Sequence, residues 1–151
     1  MLEIGISTNN EAGNDDIDIL NNIKEVGFKN VMLSYKAKNI EEAIKTISDL
    51  GLKINYFHLD NKYSNDLWAK GEAVEKYIND VIKQIEICAK YNIPIAIMHP
   101  TWGSPSDFAL NPSERGLKNM ERILEAAKRN NKDVYDYNNL NFQLLFLCYF
   151  F

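Results

Sequence analysis

The chain has 151 residues, 46% of them apolar and 25% charged, with a formal net charge of −4 at pH 7 and only two histidines. That length fits one domain with a substantial core, while the acidic balance, with a pI near 5.2, argues against a nucleic-acid binder, which needs a basic face for phosphate contacts. The start, MLEIGIST, carries Glu3, no basic flank and too short an apolar stretch for a secretory signal, so a cytoplasmic location is expected.

In chain order, LEIGIS at 2 to 7 reads as a strand, followed by a helix from about Asp15 to Val26. Ile19, Leu20, Ile23 and Val26 form its apolar stripe, Asp15 and Asp16 suit its positive end, and Gly27 supplies a left-handed stop. NVMLSY at 30 to 35 is the second strand. The second helix opens at Asn39 with Glu42 three residues on, a capping-box spacing, and carries Ile40, Ala43, Ile44, Ile47 and Leu50 to a stop at Gly51.

KINYFHL at 53 to 59 is the third strand, followed by a polar loop from Asp60 to Gly71 and a helix of roughly 19 residues. Its stripe is Val74, Ile78, Val81, Ile82, Ile85 and Ala89, and Ile93 with Pro94 breaks it before the fourth strand, PIAIMHP at 94 to 100. The fourth helix starts at Asn111, with Pro112 at its first position, and runs through Met120, Ile123, Leu124 and Ala127. Cys88 falls on an apolar helix face and Cys148 in the tail, so a disulfide framework or thiolate metal site is not expected, and Cys88 reads as a buried reduced thiol.

The links VGFKNV, LGLKIN and YNIPIA repeat one pattern: a helix stop, a short connection and an apolar strand. Four strands separated by helices imply a parallel sheet, either doubly wound or part of a (β/α)8 barrel. No G-x-G-x-x-G follows strand one and no G-x-x-x-x-G-K-[ST] occurs, so the usual nucleotide-phosphate cradles are missing. The two histidines, His58 and His99, each close an apolar strand, and strand ends are where α/β folds place their chemistry.

The unit order, the polar end of strand one (Ser7, Thr8), the strand-three His58 and the strand-four pair His99 and Pro100 resemble the amino-terminal half of the xylose isomerase-like TIM barrels. That superfamily includes sugar phosphate isomerases and epimerases and, more distantly, endonuclease IV. The resemblance covers about residues 1 to 130 and implies an α/β fold made of the first four βα units of a TIM barrel, truncated. It implies a sugar substrate contacted by His58, His99, Trp102, Ser7 and Ser34. It also implies a divalent metal in the family (Mn, Mg, Co or Zn) that this chain is not expected to retain.

Departures from the family pattern accompany the resemblance. Many relatives place a glutamate at the end of strand two, where this chain has Ser34 and Tyr35. The family's catalytic carboxylates lie mainly on strands five to eight, yet there is no glutamate after Glu125, so no catalytic residue is assigned and turnover is not expected. Residues 1 to 131 read as the partial barrel. Residues 132 to 151 end in LNFQLLFLCYFF, apolar and without periodicity, too short to span a membrane. This tail reads either as out-of-frame translation or as a hydrophobic segment that covers a sheet edge or docks a partner. The fourth strand is then expected to be an open edge, prone to self-association.

Two other readings stay open at this point. An endonuclease IV-like protein would use His58 and His99 as zinc ligands, although it would want more histidines and a basic DNA face. A non-catalytic interaction module is the third.

Overall fold

The computed structural model describes residues 4–8, 17–69, 71–99, 114–134 and 143–146, the last stretch and the two ends of 114–134 by their backbone alone. The chain divides into two compact units, Met1–His58 and Leu59–Phe151, and each is described by itself. Among the described residues no helix is long and apolar enough to cross a membrane.

The first unit holds β1 (Gly5–Ser7), α1 (Ile17–Glu25), β2 (Asn30–Ser34), α2 (Ile40–Asp49) and β3 (Lys53–His58). Its three strands pair in parallel, β1 with β2 and β2 with β3. Leu20 and Ile23 of α1, and Ala43, Ile44 and Ile47 of α2, bury the apolar helix stripes. The Asn39 side chain caps α2 by accepting a hydrogen bond from the Glu42 amide at 3.2 Å, as the capping-box spacing predicts. Val26 departs from expectation. It falls after the last residue of α1 and is 77% exposed, although its amide still donates to the Asn22 carbonyl at 3.0 Å.

The second unit begins with a 3-10 turn, η1 (Ser64–Trp68), inside the loop that follows β3. It continues with α3 (Glu72–Lys90), β4 (Ile95–Met98), α4 (Glu114–Val134) and β5 (Gln143–Phe146). The 19-residue length of α3 agrees with the sequence reading. Its buried stripe includes Cys88, as expected, and also Tyr77, while Ile82 and Ala89, expected in the stripe, are only half-buried. Cys88 is fully buried and free, and burial pushes its thiol up to about 12.

Of the readings left open for the tail, β5 agrees with a segment that covers the sheet edge, and the fourth strand is not an open edge. β5 pairs in parallel with β4 from Ile95↔Gln143 to Met98↔Phe146. The sequence hid it because QLLF shows no alternation to read. The helix before it also extends past residue 131, to Val134.

Three helices stop in the same way. Gly27 (φ 101°), Gly51 (φ 75°) and Asn92 (φ 55°) each take the left-handed conformation after α1, α2 and α3. The next amide then reaches back: Phe28 N to the Ile23 carbonyl at 3.2 Å, Leu52 N to Ile47 at 3.1 Å and Ile93 N to Cys88 at 2.8 Å. This closure satisfies carbonyls that the helix end would otherwise orphan. It gives the three repeated links a common geometry, with Asn92, rather than Ile93 and Pro94, as the stop of α3.

Candidate functional site

In a parallel ladder, paired residues project from the same face of the sheet, and alternate residues of a strand share a face. The first unit pairs Ile6↔Val31, Val31↔Ile54 and Leu33↔Phe57, and these make its apolar face. Val31, Leu33 and Phe57 are each 0% exposed. The opposite face is set by Ser7↔Met32, Met32↔Tyr56 and Ser34↔His58. Three residues singled out from the sequence, Ser7, Ser34 and His58, therefore stand on one face at the carboxyl ends of three successive strands.

These side chains differ in how they are held. Ser7 is exposed and His58 half-buried, whereas Ser34 is buried and its Oγ accepts the Lys36 amide at 3.3 Å, closing the turn after β2. Thr8, also buried, donates both its amide (3.2 Å) and its hydroxyl (2.9 Å) to the Met32 carbonyl, which ties the end of β1 to β2. The Tyr35 amide donates to the His58 carbonyl at 2.9 Å. Its ring lies 6.5 Å from the His58 ring at a tilt of 36°, within the range of a tilted aromatic contact. Tyr35, standing where relatives were expected to carry a glutamate, thus forms a wall beside the imidazole.

His99 belongs to the second unit. It follows Met98 directly at the end of β4 and is half-buried. Trp102 and Pro100 lie outside the described residues, as do Asp15, Asp16, Asn111 and Cys148.

Sequence reasoning missed a cleft in the second unit, of about 290 Å³, lined by Asp60, Tyr63, Asp66, Lys76, Tyr77 and Asp80. It forms because the loop after β3 is fastened to α3. The Tyr77 hydroxyl donates to the Asp60 carbonyl, and the Asp60 amide donates to Gln84 Oε1, both at 2.8 Å. Lys76 Nζ lies 2.6 Å from Asp80, and this hydrogen bond holds the Asp80 carboxyl below its ordinary value and the lysine above its own. Among the described residues no three histidine, cysteine, aspartate or glutamate side chains are grouped so as to hold a metal ion.

No protein-family profile matches the sequence, and no curated protein matches it. Solved structures do. An L-ribulose 3-epimerase superposes with a TM-score of 0.64 at 18% identity, over 97% of this chain and 49% of the other. A D-tagatose 3-epimerase-like protein gives 0.65 at 13% identity, over 95% and 51%. A xylose isomerase-like TIM barrel protein from Mycobacterium smegmatis, in complex with magnesium, gives 0.62 at 15% identity, over 95% and 56%. The chain thus spans about half the length of the solved proteins it resembles. Its fold is that of half a (β/α)8 barrel, as in these structures, which decides between the two architectures the sequence left open.

Magnesium, present in one of these neighbours, prefers six oxygen donors in near-octahedral array. The end of β2 offers Ser34 and Tyr35, and no grouping of three ionisable ligands stands among the described residues. The described residues at the ends of β1 to β3 do not supply the donors this ion prefers.

Proposed function

We propose that this chain is a sugar (phosphate) isomerase- or epimerase-like protein whose first unit binds a polyhydroxylated carbonyl compound at the carboxyl ends of β1 to β3. The observation that carries the reading is the register that sets Ser7, Ser34 and His58 on one face, in a fold shared with structures named as sugar epimerases. An exposed serine hydroxyl and a half-buried imidazole both donate and accept hydrogen bonds, which suits sugar hydroxyls. Ser34 is buried and accepts from the Lys36 amide, so it shapes this end of β2 beside the two more open side chains. His99, at the end of its own strand, is proposed for the same class of contact.

Proton transfer beside a carbonyl needs an acid and a base of matched pKa. The paired polar face of the first unit carries Ser7, Asn30, Met32, Ser34, Lys53, Tyr56 and His58, and no carboxylate. We therefore propose that this chain alone binds without turning over. With only two histidines, an NMR titration with L-ribulose can follow each imidazole. The His58 resonances should shift saturably, with no epimerised product from L-ribulose or D-tagatose in the presence of magnesium or manganese. An unmoved His58 would refute the binding site, and product above a protein-free control would refute the lack of turnover.

A further inference from the structure

The pairing of β2 with β3 contains one irregularity. Val31 pairs with Ile54, but the next residue of β2, Met32, pairs with Tyr56. Asn55 is therefore an extra residue, a β-bulge, and two residues of β3 oppose one of β2. Regular alternation from Ile54 puts Asn55 on the polar face, and the pairing with Met32 puts Tyr56 there too. Burial agrees: Ile54 and Phe57 are buried, while Asn55, Tyr56 and His58 are each half-buried. The bulge thus gives β3 three side chains, Asn55, Tyr56 and His58, on the face that carries Ser7.

The pairing itself does not require this residue. Without Asn55, Ile54↔Val31 and Tyr56↔Met32 would be consecutive, and Phe57↔Leu33 and His58↔Ser34 would follow unchanged. The extra residue also brings a cost, because Asn55 Oδ1 is buried with no hydrogen-bond partner, an arrangement that folded proteins seldom keep without a reason. Ser64 Oγ is also buried without a partner. Ser64, however, is 0% exposed and sealed inside η1, whereas Asn55 as a residue is half-buried on the proposed binding face, so that a turn of its side chain can bring the enclosed Oδ1 out to a ligand.

We infer that Asn55 is a ligand-contacting residue whose side chain, half-buried in the unliganded chain, turns so that its unpartnered Oδ1 accepts a hydrogen bond from a hydroxyl of the bound sugar. The inference rests on the site proposed above, and it adds an acceptor deeper along β3 than His58. The bulge is the device that inserts this acceptor without disturbing the pairing of Phe57 or His58.

Two variants test it, with L-ribulose as the probe. Asn55→Ala keeps the bulge and removes the amide, while deletion of Asn55 removes the bulge and leaves the ladder regular. Both should keep or slightly raise the thermal midpoint, because each removes an unsatisfied buried oxygen. Both should weaken L-ribulose binding about 3- to 10-fold, the range of one neutral hydrogen bond, with the His58 resonances in place before ligand is added. If the unaltered chain binds and His58→Ala weakens it, but neither Asn55 variant does, the inference fails while the site stands. If the unaltered chain fails to bind, both fall together. A cooperative loss of stability in both variants would make Asn55 a structural residue and overturn its assignment to the ligand.

Discussion

Asn119 of α4 and Asn55 of β3 are both enclosed amides, and the molecule treats them in opposite ways. Asn119, 6% exposed, donates through Nδ2 to the Leu67 carbonyl at 2.8 Å and holds α4 against η1. Asn55 Oδ1 is enclosed with nothing to accept from. Around Asn119 the contacts close on themselves, with Trp68 packed on Gly116 and Arg122 forked onto Glu75 at 2.9 and 2.7 Å. A polar group that is fully spent marks a joint that holds the fold, whereas one left unspent on a strand end marks a place kept for something else.

The largest expected effect falls on the joint. A Cβ at Gly116 would stand 2.0 Å from Trp68 Cε3 and 2.3 Å from Cζ3, and the ring, 6% exposed, is enclosed. Helix propensity alone favours alanine over glycine by about 1 kcal/mol. Overpacking of an enclosed site costs about 1–3 kcal/mol and occasionally more, so the steric term should win. Gly116→Ala should lower the denaturant midpoint clearly, and an unchanged or higher midpoint would show that Trp68 is not seated as described.

The two amides give the next contrast directly. Asn119→Ala strands the buried Leu67 carbonyl, which should cost about 1–3 kcal/mol, while Asn55→Ala strands nothing and should cost none. Equal losses from the two substitutions in urea unfolding would erase the distinction drawn between joint and site.

The same contrast explains what could be read in advance. The helices, the Asn39 cap and the left-handed stops rest on residues within five positions of one another, so periodicity and turn chemistry displayed them. His58 could be seen at a strand end, but not the face it takes. Plain alternation through Ile54, Asn55, Tyr56, Phe57 and His58 puts Ile54 with His58 and Asn55 with Phe57, and only the bulge reverses this. The joint was invisible for a different reason, because Asn119 and Leu67 are 52 positions apart. Its one local trace was Gly116 inside a helix, where glycine disfavours the helix unless something approaches closely.

The smallest expected effect lies at the outer edge of the joint, between Arg122 and Glu75. The Arg122 hydrogen bonds, with a further attraction from its charge, hold the Glu75 carboxyl below its ordinary value of 4.5. A carboxylate depressed in the folded state contributes stability that is complete above its unfolded pKa and is lost as pH falls through the folded pKa. Glu75→Gln should therefore be slightly less stable than the unaltered chain at pH 7, and the gap should close as the pH drops below about 4. Both side chains are half-exposed, at 45% and 54%, so water and salt screen the pair and the gap should also shrink in 1 M salt. A gap that persisted at low pH and high salt would mean that Glu75 acts through packing, which would extend the tightly closed region outward from Asn119 to the surface of α3.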